Sequence, residues 1–367
     1  MSLKPVLPGG FVNVPDSGST VADWFNDSTA AFVSGSGNNG TAVIGNKELP
    51  FATAQAAFTA VGNGGRVYFF PKATPYTLNL DYNQTIEIGG VAGPSDKINI
   101  TITHLETGGG PVIIRDVLHE SIQVSLARAT GLRADCQISL YDVCLNNANL
   151  KAATGTTGST GTDGTAGASG SPGGDGGTGG TGGVGGNGVD GATLYHYNGR
   201  FIGTLDISGG DGGPGGTGGP GGTGGNGANP EDAGGNGGAG GDSGTGGTGG
   251  TVGNYYAYNV WANGSVVVAN SSGSPGLGGT GGTGGDAGVG GEASGGSGGQ
   301  GGNLGSPGNP PNTSFGGTGG AGALGNPGPS GASGNTNLAN CCFESVTMTT
   351  DVGQNLVDIG GSYIYQI

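Results

Sequence analysis

From Gly155 to Gly191 glycine returns at every third position without a miss, through thirteen triplets. A second tract, from Gly209 to Gly250, is mostly Gly-Gly-X. A third keeps the period from Gly273 through Gly291, resumes from Gly296 to Gly308, and returns from Gly316 to Gly334. Three residues per turn, with a rise of ~3.1 Å, is the pitch of polyproline II. A flexible linker has no reason to hold that phase. The breaks in phase fall on turn chemistry such as Asn229-Pro230-Glu231-Asp232 and Asn309-Pro310-Pro311-Asn312. Glycine supplies 94 of 367 residues, against ~7% in ordinary chains. Such density dissolves helices and starves an aliphatic core. Collagen is disfavoured, because the chain holds only 18 prolines where a triple helix wants ~15–20% or more.

A polyproline II strand makes no internal hydrogen bonds, so its N–H and C=O groups need outside partners. Glycine on two of three faces lets neighbouring strands approach closely enough to supply them. The pattern predicts a two-layer stack of polyglycine II helices, glycine inward and X outward. X is mostly Thr, Asn, Asp, Ala or Pro, as at Thr178, Thr181, Asn187, Pro214, Thr217, Pro220, Thr223, Thr280 and Thr283.

Residues 1–151 have nearly ordinary composition. Residues 51–61 place apolar side chains at helical spacing, and Gly62-Asn63-Gly64-Gly65 stops the run. Arg66 to Phe70 reads as a short buried strand ended by Pro71. Short β runs then recur at residues 98–102, 112–114, 122–126, 138–140 and 143–145. Many short strands at regular spacing predict a sandwich, barrel or solenoid. The run Lys47-Glu48-Leu49-Pro50-Phe51-Ala52-Thr53-Ala54-Gln55-Ala56-Ala57, with Gly64-Gly65-Arg66-Val67-Tyr68-Phe69-Phe70-Pro71 and Tyr76, resembles the lead-in of a pectate-lyase-like right-handed β-helix. That fold is common in bacteriophage tail spikes and fibres. Pro71-Lys72-Ala73 departs from the family's usual Pro-Gly. The resulting division is an attachment segment (1–44), a β-helix (45–152), a polyglycine II bundle (153–336) and C-terminal strands (337–367).

Two interludes, 192–208 and 252–271, interrupt the glycine. Tyr197-Asn198 leads to Thr204–Gly209, and 61 residues later Tyr258-Asn259 leads to Ser265–Asn270; Ser345–Thr349 looks like a third copy. Either each interlude is a further rung that extrudes a glycine tract, or each is a loop capping separate helices. The interludes are crowded with Tyr195, Tyr197, Phe201, Tyr255, Tyr256, Tyr258 and Trp261. Rigid amphipathic rings on a stiff scaffold suit sugars or outer-membrane protein loops. Receptor binding is therefore assigned to Tyr195, Tyr197, Tyr255, Tyr256, Tyr258 and Trp261.

Ten cations against 25 acids leave a net charge of −15, split as −3 over residues 1–151 and −12 beyond. That argues against nucleic acid and against an anionic membrane surface. No apolar run approaches the ~18–20 residues of a spanning helix, and the apolar run at residues 1–10 is too short to read as a signal peptide. Cys136, Cys144, Cys341 and Cys342 read as buried thiols of a reducing compartment. Asp116, Glu120, Asp135 and Asp142 are the candidate carboxylates for glycoside cleavage, but no local motif marks them, and they read as turn and surface acids. His104, His119 and His196 are isolated, with no metal-ligand spacing. Neither a cofactor nor a metal is expected.

Alternating glycine tracts and aromatic-bearing segments over residues 155–336 are similar to the tip adhesins of T-even-type phage long tail fibres, where polyglycine II presents receptor-binding loops. The two resemblances imply a non-enzymatic virion fibre, spike or adhesin, made in the host cytoplasm. Its partners would be other virion proteins and a host surface receptor, polysaccharide or outer-membrane protein. Family analogy makes the homotrimer the stoichiometry to test. The alternatives are a tail-spike depolymerase and an ice-binding protein built on polyglycine II.

Overall fold

The computed structural model describes residues 27–91, 98–107, 110–118, 120–170, 174–226, 235–269, 274, 276–280, 282, 326–332, 335–339, 341–347, 355–358 and 363–365. His119, Thr283 and both turn sequences at 229–232 and 309–312 lie outside them, as do residues 1–26 of the attachment segment.

The chain alternates between two parallel sheets. The first contains, in spatial order, β1 (Ala31–Val33), β2 (Arg66–Phe69), β4 (Thr85–Gly90), β6 (Val112–Asp116), β8 (Gln137–Tyr141), β10 (Thr193–Tyr197), β13 (Tyr255–Tyr258), β15 (Asn335–Ala339) and β17 (Asn355–Asp358). The second runs β3 (Tyr76–Leu80), β5 (Ile98–His104), β7 (Ile122–Arg128), β9 (Cys144–Asn149), β11 (Arg200–Phe201), β14 (Trp261–Ala269), β16 (Cys342–Thr347) and β18 (Tyr363–Tyr365). β12 (Thr204–Asp206) bridges β9 and β14 beside β11. Among the described residues the fold is all-β apart from α1 (Ala54–Val61). Thr53 caps α1 by accepting the Ala56 N–H at 3.2 Å, and Gly62 ends it at φ 78°. The helix packs on β1, β2 and β3 at one end of the stack, and the Gln55 side-chain oxygen accepts the Asn79 N–H of β3. β1 falls inside the predicted attachment segment, yet it pairs with β2 as part of the first sheet.

Strand alternation builds the core. In β5, Ile98, Ile100 and Ile102 are buried while Asn99, Thr101 and Thr103 face outward. Register then stacks like on like: Ile100 lies beside Val124 and Val124 beside Leu145. The interlude strands belong to the sheets: β10 and β13 continue the first and β11, β12 and β14 the second.

After β9, the described residues that leave the sheets run as glycine passes. Outgoing passes at 153–170, at 208–226 and at 274, 276–280 and 282 form one layer. Returning passes at 174–191, 235–253 and 326–332 form the other. Hydrogen bonds repeat every three residues. In the 208–226 pass, Gly212 and Gly215 donate within the layer to Ser274 O and Leu277 O at 2.8 Å, and Gly213 and Gly216 donate across layers to Gly186 O and Gly183 O at 2.7 Å. X side chains such as Pro214, Thr217 and Thr223 are exposed. The number of glycines per triplet follows the neighbours. The 153–170 pass is the layer's edge and carries one glycine per triplet, with its other two positions exposed. The 208–226 pass lies between two others in its layer and needs two: a Cβ at Gly216 would overlap the Ser159 carbonyl oxygen, and one at Gly215 the Gly244 carbonyl oxygen.

The X residues themselves are chosen by backbone chemistry. Proline suits X because its carbonyl still accepts, as Pro214 O does from Gly158 N at 2.9 Å, while the N–H it lacks is one that bonds to no carbonyl of a neighbouring pass. Asp and Asn at X accept the X N–H of the next pass: Asp175 from Asn236, Asn187 from Thr248, Asp190 from Thr251 and Asp211 from Ser274, at 2.7–3.0 Å. Two substitutions test this grammar by chemical denaturation. Gly216→Ala should destabilise by about 1–3 kcal/mol through overpacking. Thr217→Pro, next to it, should be neutral or stabilise by up to ~1 kcal/mol, because the unfolded chain loses freedom. Equal effects at the two positions would refute the inward-outward assignment.

Candidate receptor-binding surface

The same strand register that stacks the core also stacks the outward side chains of the first sheet. Tyr141, Tyr197 and Tyr258 are in register on β8, β10 and β13. Their ring centroids are 4.8 and 5.1 Å apart and the planes tilt by 10° and 8°. Tyr195 and Tyr256 form a second stack at 4.8 Å, and Tyr195 lies 6.3 Å from Tyr197. These spacings follow the ~4.7–4.9 Å between neighbouring strands. Arg115 closes the lower face of Tyr141, its guanidinium carbon 5.3 Å from the ring centre. All five tyrosines are half-buried. Ring faces within the stacks are covered by one another, so ring edges and phenol ends form the presented surface. Burial, then the neighbouring phenols, raises the Tyr195 and Tyr197 hydroxyl pKa values.

The predicted residues divide. Tyr195, Tyr197, Tyr256 and Tyr258 come together in the ladder. Trp261 sits on the second sheet, 39% exposed, with the Arg200 guanidinium carbon 4.7 Å from its ring centre. Tyr255 is not on the surface. It alternates with Tyr256, is fully buried, and meets Phe201 edge-on at 6.2 Å. Tyr141 and Arg115 were missed. The signal was the dipeptide Tyr141-Asp142, which matches Tyr197-Asn198 and Tyr258-Asn259. Asp142, Asn198 and Asn259 each turn the corner between sheets at positive φ, 58°, 52° and 55°, and Asn259 Nδ2 donates to Asn198 Oδ1 at 3.0 Å.

Tyr255 instead serves His196, which occupies a core column in register with Leu140. His196 Nε2 lies 3.0 Å from Val143 O, and Nδ1 3.2 Å from the Tyr255 hydroxyl. A carbonyl only accepts, so Nε2 carries the proton and Nδ1 accepts from Tyr255. Complete burial lowers the His196 pKa to about 4.

The four candidate carboxylates do not assemble. Asp116 is buried and accepts from Leu118 N, Ser121 Oγ and Ile122 N at 2.8–3.1 Å; burial pushes its pKa up to about 6. Asp135 pairs with exposed Arg133 at 2.8 Å. Glu120 and Asp142 both hold positive-φ corners, and the Glu120 N–H donates to Asp142 O. A different group does assemble, without sequence spacing to announce it. His104, Glu106 and Cys136 are buried with their potential ligand atoms all within 4.8 Å of one another. Cys144 and Cys341 are buried thiols, as expected.

Two measurements follow. Tyr197→Ala removes the two stacked contacts to Tyr141 and Tyr258 and should cost about 1–3 kcal/mol, at ~0.5–1.5 per ring pair; a loss below ~0.5 would mean that the stacks do not hold neighbouring strands together. His196 has a folded pKa below its unfolded ~6.5, so the neutral ring's contribution is complete above pH 6.5 and is lost as pH falls toward 4. The stability difference between the wild type and His196→Leu should therefore shrink across that window in urea titrations. A constant difference would contradict the buried neutral imidazole.

No known family model matches the chain, and no curated protein matches it. Among solved structures, a match is to the nine polyproline type II helical bundle antifreeze protein of the springtail Granisotoma rainieri, at 25% identity over 48% of this chain and 93% of that one. Its TM-score is 0.08, too low to describe a shared fold.

Proposed function

We propose that this chain is a non-enzymatic fibre, spike or adhesin component of a virion, which recognises a host surface through its tyrosine ladder. The two sheets are read as faces of a right-handed parallel β-helix, as parallel crossovers are right-handed in ~98% of cases. The glycine passes are read as polyglycine II, on their three-residue hydrogen-bond period. The supporting observation is the ladder itself: five tyrosines on one outward face, fixed by strand register rather than by loops. Pre-ordered rings avoid much of the ordering penalty of binding, and several copies on a particle raise weak contacts by multivalency.

Because ring edges and hydroxyls face outward, the informative variant is Tyr195→Phe, Tyr197→Phe, Tyr256→Phe and Tyr258→Phe combined. Stacking and fold should survive. Adsorption of the protein to host cells should fall about tenfold or more, from hydroxyl contacts worth ~0.5–1.5 kcal/mol each. Unchanged adsorption would make the ladder purely structural. An ice-binding reading draws on one feature, the rank of Thr160, Thr217 and Thr280 across three outgoing passes. The adjoining ranks hold Asp163, Pro214, Pro220 and Leu277, which breaks the regularity. Thermal hysteresis in solution would favour it.

A further inference from the structure

The cluster at the corner after β5 is built as a ligand set. His104 and Cys136 are each 1% exposed and Glu106 6%. His104 Nε2 is buried without a hydrogen-bond partner. Its ring is packed edge-on by Tyr82, centroids 4.4 Å apart. Glu106 is held inward at φ 62°, a left-handed conformation uncommon for glutamate. Its carboxylate is oriented by Arg128 Nε at 2.6 Å, Thr130 Oγ1 at 2.7 Å and Leu132 N at 3.2 Å. Outer hydrogen bonds of this kind are what orient ligating carboxylates in metal centres.

We propose that His104, Glu106 and Cys136 bind a zinc ion, with one position left for a further ligand. Imidazole nitrogen, thiolate and carboxylate are zinc's usual donors, at about 2.0–2.3 Å. Donor atoms already within 4.8 Å of one another need only short inward shifts to reach a tetrahedron. Binding releases the Cys136 thiol proton to solvent. It also moves the imidazole proton from Nε2 to Nδ1, giving up the 3.1 Å contact that Nδ1 now accepts from the Glu106 amide. Thiolate and carboxylate together carry two negative charges, and since Glu106 is also paired with Arg128 at 2.6 Å, the loaded site keeps one net positive charge for an anionic fourth ligand to offset. The ion would tie β5 to the chain entering β8. Through Arg128, which also donates to Leu150 O at 3.2 Å and Asp190 O at 3.4 Å, it would brace the root of the first glycine passes.

The test uses the full chain stripped of metal by a chelator and titrated with cobalt(II), then zinc. Cobalt should add at one equivalent with a thiolate charge-transfer band in the near ultraviolet. That band should vanish in Cys136→Ser and persist in Cys341→Ser. Zinc should raise the melting temperature of the wild type and of Cys341→Ser only. Absence of the band, or its persistence in Cys136→Ser, would overturn the proposal. Should Cys136→Ser not fold, X-ray absorption of the zinc-loaded wild type decides: one sulfur with nitrogen or oxygen neighbours supports the site, and any other sulfur count refutes it.

Discussion

Every backbone N–H and C=O in this chain that leaves water must find a partner, and one spacing between neighbouring segments supplies it throughout. Leu150 donates to Asp206 O at 2.7 Å, Ala152 to Ser208 O at 3.0 Å and Gly155 to Asp211 O at 2.8 Å. The first contact continues from the pairing of β9 with β12, and the last already joins two glycine passes. On the return side Gly191 donates to Thr251 O at 2.9 Å and Leu194 to Asn254 O at 2.8 Å. The ladder crosses from pleated strand to glycine pass without losing a partner. That is possible because both conformations place neighbours one strand-spacing apart. Sheets and passes are therefore one hydrogen-bonded body with two kinds of filling. Aliphatic side chains fill the space between the sheets; glycine lets the layers close with no filling.

The passes were readable in the sequence because their constraint is local and periodic. A glycine every third residue reports one crowded face, and Gly-Gly-X reports two, so the single glycine of 153–170 already marked a pass with fewer neighbours than the Gly-Gly-X passes. The helix was equally plain at its end, where Gly62 stops the apolar run; its start at Ala54 falls after the Thr53 cap, three residues later than the spacing from Phe51 predicts. The interludes left two readings open, since their strands pair with partners dozens of residues away. Tyr197 meets Tyr141 and Tyr258 only once the intervening passes have gone out and back. What settles such a pairing is register, which a lone segment does not display.

The surface was half legible for a related reason. Aromatic crowding marked the interludes, but alternation decides which rings face water. Tyr255 and Tyr256 are adjacent in sequence and opposite in role. Reading β13 by its period of two, with Ala257 as the second inward residue, would have sent Tyr255 to the core. Trp261 follows the corner at Asn259 and so belongs to the other sheet. The His104–Glu106–Cys136 group had no such signal, because its members meet across rungs at a corner whose length the sequence does not announce.

The pairing of passes has a consequence for how such a chain can vary. The 174–191 pass runs back along 153–170, and 208–226 runs parallel to it, each contact advancing in steps of three. Loss or gain of a single residue within a pass would rotate every later X into a neighbour's backbone. Change by whole triplets keeps the faces but leaves an adjoining pass with an unpaired end. Repetitive coding sequence invites slippage, so this architecture converts a replication hazard into a filter. Lengths can drift in codon triplets, and neighbouring tracts must drift together.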